Sequence, residues 1–177
     1  MVRLALYFKA ELENVTDVEP GDEDYEWHFQ VKCTSCSEVN ENWVGVNKLA
    51  QNEISGSRGI ANFVMRCKFC KRESSAQIDR TSIKPYTIDN NGQFTQIAII
   101  ECRGLEFVDF DPRIGFKAKG VDSGTIFENI DLTEGDWAEY DEEWLTSDGS
   151  CFHLSNCSMK AQVPVGISNI KSEFKRA

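Results

Sequence analysis

Histidine is nearly missing from this chain of 177 residues, which holds only His28 and His153. With scattered serines they form no nucleophile–base arrangement, and neither a zinc-protease helix nor a phosphate-binding glycine loop is present. Basic charge is also short: 19 Lys and Arg stand against 29 Asp and Glu, a formal net charge of −10. That balance argues against a general nucleic-acid binder, because phosphate contacts need a basic footprint. Long apolar runs are absent, and nothing approaches the roughly 18 residues a membrane span requires. The start, Met1 to Lys9, alternates apolar and polar residues and lacks the continuous core of an export signal. The expected location is the cytoplasm, or the nucleus. There the seven cysteines are better read as metal or redox sites than as a disulfide framework. The acidic runs Glu19 to Glu26 and Asp131 to Glu143 read as solvated loops.

A sustained 3.6-residue period is missing too, apart from a short turn near Asn47 to Glu53; period-2 alternation is abundant. Leu4, Leu6, Phe8, Ala10 and Leu12 mark one strand, Trp27, Phe29, Val31 and Cys33 another, and Ala61, Phe63, Met65 and Cys67 a third. Ile97 to Cys102, Thr125 to Leu132 and Val163 to Phe174 are further candidates, separated by turn residues such as Pro20-Gly21-Asp22 and Asp122-Ser123-Gly124. An internal echo joins Leu12 to Pro20 with Leu105 to Pro112, and more loosely Phe29 to Trp43 with Phe127 to Trp137. The expected fold is all-β: a β-sandwich of two pseudo-repeated halves, about 1–92 and 93–177, forming a single domain.

The definite chemistry lies in Cys33-Thr-Ser-Cys36 and Cys67-Lys-Phe-Cys70, with 30 residues between the pairs. Each C-x-x-C clip offers two thiolates from one tight turn, so two clips can close a tetrahedral Zn(Cys)₄ shell with Zn–S bonds of about 2.3 Å. Each first cysteine ends an apparent strand, as in a zinc knuckle. Four cysteines leave no open position, which favours one structural Zn²⁺ over a catalytic one. Iron also suits a tetrathiolate, with zinc the default where no redox context is given. Redox use of the clips would place them at helix N-termini, and neither flanking segment starts a convincing helix. Arg66, Lys68, Lys71 and Arg72 crowd the second clip and can offset the −2 charge of Zn(Cys)₄.

Other candidates have plainer readings. Cys102 reads as a buried small hydrophobe, His28 as exposed on a polar strand face, and Gly56-Ser57-Arg58-Gly59 as a hairpin turn rather than an anion nest. Cys151, His153 and Cys157 form C-x-H-x₃-C in a polar, irregular stretch, a weak second metal motif.

Beyond the clips, the chain carries Ser57-Arg58-Gly59, Arg66 to Glu73, Ser82-Ile83-Lys84-Pro85-Tyr86 and Glu101 to Glu106. Gly120-Val121-Asp122-Ser123-Gly124-Thr125 and Asp136-Trp137-Ala138-Glu139-Tyr140-Asp141-Glu142 follow in order. Together these resemble the eukaryotic CXXC-motif-containing zinc-binding protein family, over residues 1 to about 143 and again from near Val163. The resemblance implies an all-β sandwich of two halves, one zinc on Cys33, Cys36, Cys67 and Cys70, and no established enzymatic activity. Where such proteins run almost directly into the last strand, residues 144–162 intervene here, as an inserted loop or a retained intron.

The function expected is therefore a non-catalytic zinc-binding protein, not an enzyme, acting as a protein-interaction module linked to metal handling. Its partner surface would be Arg66, Lys68, Phe69 and Lys71, its partner a protein, and its own state a monomer. The alternative is a thiol-based metal-transfer or redox protein that uses the clips. RNA contact through the second clip, with Phe69 as a stacking platform, is the weaker third reading.

Overall fold

A computed structural model describes residues 1–144 and 160–177. Among these, fourteen strands run in chain order: β1 (Val2–Glu13), β2 (Val15–Pro20), β3 (Glu26–Cys33), β4 (Val44–Asn47), β5 (Asn52–Glu53), β6 (Ile60–Ala61) and β7 (Phe63–Arg66). Then come β8 (Glu73–Asp79), β9 (Thr95–Arg103), β10 (Leu105–Asp111), β11 (Ile114–Gly120), β12 (Ile126–Asp131), β13 (Trp137–Trp144) and β14 (Lys160–Arg176). Two single 3₁₀ turns lie between β8 and β9. The all-β expectation holds.

A six-stranded antiparallel sheet has the order β13-β14-β1-β9-β8-β7, and two three-stranded sheets have the orders β10-β3-β4 and β12-β11-β2. One continuous apolar cluster joins all three, with Leu6, Phe8 and Ile100 from the large sheet meeting Trp27, Phe29, Leu105, Phe116 and Ile130 from the small ones. The alternation read in β1 and β3 is the cause, since every second side chain of a strand faces the same layer. In β3 the buried residues are Trp27, Phe29, Val31 and Cys33. Phe29 sits among Phe107, Phe110 and Phe174 at centroid distances of 4.5–5.8 Å.

The chain changes sheets twice by the same device. Between β1 and β2, Asn14 takes φ 53°; between β9 and β10, Gly104 takes φ 77°. This left-handed backbone turns a strand out of the large sheet into a small one. The two crossing strands are then exchanged: β2 from the first half pairs with β11, and β10 from the second half pairs with β3. Strand order in the large sheet is correspondingly symmetric about the central β1–β9 pair. The sequence echo needs correcting against this frame. Val15, the first residue after Asn14, pairs with Gly120, while Leu105, the first after Gly104, pairs with Cys33. Leu105 therefore corresponds to Val15 rather than to Leu12, and Phe29 corresponds to the buried Phe116 of β11 rather than to Phe127.

Several strands carry no clear sequence signal. In β8, Ser74, Ser75 and Ala76 are buried in succession, so no period-2 pattern exists to read. The acidic run from Asp131 to Glu143 is not a loop throughout, because Trp137–Trp144 forms β13, paired along its length with β14. The stretch 144–162 is described only at its ends, in β13 and β14; Cys151, His153 and Cys157 lie outside the described residues. Among the described residues, no helix is long and apolar enough to cross a membrane.

Candidate metal centre

Cys33 is the last residue of β3, and Cys67 directly follows β7. The two clips are built alike. In the first, the Ser37 N–H donates to the Cys33 carbonyl (2.9 Å) and the Cys33 N–H to the Glu38 carbonyl (2.8 Å). In the second, the Lys71 N–H donates to the Cys67 carbonyl (3.0 Å) and the Cys67 N–H to the Arg72 carbonyl (2.9 Å). Ser37 and Lys71 hold φ of 62° and 63°, which reverses the chain just after the second cysteine of each clip.

These turns bring the four sulfurs together. Cys33 Sγ lies 3.7 Å from Cys70 Sγ, and Cys36 Sγ lies 3.7 Å from Cys67 Sγ. All four sulfurs fall within 4.8 Å of one another. A regular tetrahedron with Zn–S bonds of about 2.3 Å has S···S edges of about 3.8 Å, so the donor set fits a tetrathiolate ion. Cys33 and Cys67 are buried, whereas Cys36 and Cys70 are half-buried. Desolvation opposes ionisation of Cys33, but the N–H groups of Cys36 and Ser35 and the neighbouring thiols outweigh it and bring it down to about 6. The N–H groups of Cys70 and Phe69 likewise lower Cys67. Cys36 goes the other way: the Glu38 N–H favours its thiolate, yet desolvation and the surrounding sulfurs push it up to about 12. Without an ion the four compete for negative charge; a cation at their centre removes that competition.

Basic side chains tie the clips to their surroundings. Arg72 Nη1 donates to Ser35 Oγ (3.2 Å), joining the second clip to the first. Arg66 faces Glu73 at 3.7 Å, and Lys71 Nζ folds back onto the Lys68 carbonyl at 2.7 Å. Glu73 also accepts from the Ser55 N–H (2.8 Å) and hydroxyl (2.6 Å), which hold its carboxyl below the usual range and fasten the β5–β6 hairpin to the centre. Phe69, at the tip of the second clip, is 75% exposed.

The remaining sequence candidates sit elsewhere. Cys102 is buried in β9, where burial pushes its thiol up to about 12. Gly56 to Gly59 form the turn of the β5–β6 hairpin. His28 is not exposed as expected: it is half-buried, with Nε2 3.7 Å from Glu26 and Nδ1 enclosed without a hydrogen-bond partner. Sequence reasoning missed a groove of about 550 Å³ beside the centre. Val31, Val39, Val44, Phe63, Met65 and Leu105 supply its apolar lining, with Glu38 and Glu41, and also Arg66, Lys68 and Phe69, contributing to it. It lies between edge strands β4 and β7, which belong to different sheets, so no local pattern announces it.

Known proteins resemble this chain in sequence and fold. The chain is 41% identical over 174 residues to the human CXXC motif containing zinc binding protein, covering 98% of each. It is 45% identical over 149 residues to the protein of that name from Rattus norvegicus, covering 84% of this chain and 93% of the relative. The crystal structure of C1orf123 superposes with a TM-score of 0.84 at 39% identity, covering 99% of both chains. A hypothetical protein from Plasmodium falciparum superposes at 0.79 with 27% identity, over 99% of this chain and all of that one. The sequence profile of the CXXC motif containing zinc binding proteins of eukaryotes matches residues 5–147. With its four cysteines gathered where a metal can sit, the chain belongs to this zinc-binding family.

Proposed function

We propose that Cys33, Cys36, Cys67 and Cys70 hold one structural Zn²⁺, and that the protein is a non-catalytic interaction module of the cytoplasm or nucleus, linked to metal handling. The observation that supports this most is the groove lined by residues of both clips, with the exposed Phe69 at its margin. Zinc closes the ends of β3 and β7 against each other and so fixes the groove beside them, between β4 and β7. Arg66, Lys68, Phe69 and Lys71 form the contact surface for a protein partner. Apparent binding free energies of roughly 10–16 kcal/mol for structural zinc in small domains indicate how strongly the ion can order such a region.

Cys33→Ser is expected to abolish stoichiometric zinc in metal analysis of purified protein and to lower Tm. Lys68→Glu/Lys71→Glu is expected to keep the zinc while losing partners that wild type captures from cytosol. Identical partner lists would remove that surface from the proposal. The half-exposed Cys36 and Cys70 favour a second reading, in which the clips pass metal or electrons to another protein. Rapid zinc release to a strong chelator, with reactive thiols in the zinc-loaded protein, would replace the structural reading by this one; slow release without reactivity supports the structural ion.

A further inference from the structure

The exchanged strands put a third clip-shaped turn in the other half, and it contains no cysteine. After β11, the Gly124 N–H donates to the Gly120 carbonyl (3.1 Å) and the Gly120 N–H to the Thr125 carbonyl (2.8 Å). Gly124 has φ 72°. This is the bond pattern and the left-handed residue of the Cys33 and Cys67 clips. The register agrees independently. Cys33 pairs with the first residue after the Gly104 crossing, and Gly120 with the first after the Asn14 crossing. The next residues, Thr34 and Val121, donate their N–H groups to the carbonyls of Gly104 and Asn14 at 3.1 and 3.0 Å. Gly120 thus corresponds to Cys33, Ser123 to Cys36 and Gly124 to Ser37.

The edge strands complete the correspondence. Arg103, the last residue before Gly104, pairs with Ser75, which pairs with Val64. Glu13, the last before Asn14, pairs with Gly166, which pairs with Ala138. Three residues beyond Val64 is Cys67; three beyond Ala138 is Asp141. Where Cys36 and Cys67 bring two sulfurs together, the Ser123 hydroxyl donates to Asp141 Oδ2, and the Thr125 hydroxyl donates to Oδ1 at 2.9 Å. Asp141 is buried, a costly position for a carboxylate unless hydrogen bonds satisfy it. A Cβ on Gly120 would point into this cluster, meeting Ser123 Oγ and lying 2.6 Å from Asp141 Oδ2. The fourth position, equivalent to Cys70, falls at Trp144; there β13 continues paired with β14 instead of turning into a clip.

We propose that Gly120, Ser123 and Asp141 occupy three ligand positions of a second metal centre whose thiolates have been replaced, and that the Ser123–Asp141–Thr125 hydrogen bonds now fasten the β11 turn to β13 without an ion. The first half closes its strand ends with metal, the second with a carboxylate and two hydroxyls. The chain accordingly takes up one thiolate-bound ion rather than two. The inference rests on the tetrathiolate reading of the first centre, and the test separates the two.

Co²⁺ titration of the full chain reads tetrahedral thiolate coordination through its charge-transfer and d–d bands. Wild type is expected to saturate these bands at one equivalent; if it shows none, the first centre itself is misread. The variant Gly120→Cys/Ser123→Cys/Asp141→Cys removes the Asp141 carboxyl and leaves at Ser123 a γ atom that can rotate aside, as Cys36 must beside Cys33, and Gly120 needs no left-handed backbone. Its bands are expected to reach about two equivalents, with solvent completing the second shell. Saturation at one equivalent while wild type also gives one would overturn the positional correspondence alone. Failure of the triple variant to fold would count against it too, because positions built like Cys33, Cys36 and Cys67 must accept thiols. The clasp is read separately in zinc-loaded protein, with Ser123→Ala, Asp141→Asn and their combination. Each is expected to lower Tm, the pair by little more than the larger single drop; additive drops, or none, would overturn the clasp.

Discussion

Ser37 and Lys71 adopt left-handed backbone that glycine would take more easily, and each does so directly after the second cysteine of a clip. Within each clip the N–H groups ahead of that residue, those of Cys36 and Ser35 and of Cys70 and Phe69, face the first sulfur, which is why Cys33 and Cys67 are the thiols held low. In the ion-free chain these two ionise first; Cys36 must be driven to thiolate by the metal itself. The sign of the pH dependence follows. Bound metal depresses each ligand thiol far below its value in the unfolded chain, so its contribution is full at high pH and lost as protons compete. Zinc is expected to remain bound at pH 7 and to leave as pH falls through the acid range, below the ion-free Cys33 value of about 6, with a loss steeper than one proton per ion. Zinc content after buffer exchange across that range checks this; retention unchanged well into the acid range would speak against thiolate ligands. The four cysteines were legible as one cluster able to hold a metal, because spacing alone carries that signal. The burial of His28 was not, because it depends on how its sheet is covered rather than on its own strand.

Among the elements, the short β6 and β7, which alternation reads as one strand, are separated and held by a single polar residue. Asn62 sits between them, buried, and its amide nitrogen donates to the carbonyls of Lys48 and Ala50 at 2.9 Å each. Its Oδ1 accepts the Ile78 N–H of β8, also at 2.9 Å. One amide thus joins the loop after β4, the β6–β7 junction and β8, next to the strand that delivers Cys67. Asn62→Ala leaves one buried donor and two carbonyls to find other partners, which is expected to cost about 1–3 kcal/mol in chemical denaturation of the zinc-loaded protein. Asn62→Asp keeps an acceptor for Ile78 but turns a carboxyl oxygen toward the Lys48 and Ala50 carbonyls, so it is expected to destabilise at least as much as Asn62→Ala. A destabilisation below about 0.5 kcal/mol would show that solvent replaces these bonds. Strands with one buried face, such as β1 and β3, were legible from alternation. β8 was hidden by its buried serines and β13 by its acidic residues, since neither carries the apolar period that a strand reading depends on.

Across the whole molecule, the internal echo was legible as a duplication but not in its true register. Apolar segments of similar composition align well several ways; only the crossing residues Asn14 and Gly104, unlike each other in sequence, fix the frame. What the echo could not disclose is that the halves exchange strands. Each small sheet draws on both halves, β10 with β3 and β4, β2 with β11 and β12, and the large sheet is joined at its middle by β1 against β9. Neither half can complete its own sheets. A chain divided after Gly92, in the exposed turn before β9, is therefore expected to yield fragments 1–92 and 93–177 that lack cooperative unfolding alone and regain it when mixed. The first fragment carries all four cysteines of the centre, but β3 would lack β10, leaving the groove without Leu105. Thermal melts and amide exchange of each fragment and of the 1:1 mixture read this directly. A cooperative melt for fragment 1–92 alone would mean that the zinc centre organises a self-sufficient unit and that the strand exchange is secondary; cooperativity restored only by mixing ties the geometry of the metal site to the presence of the second half.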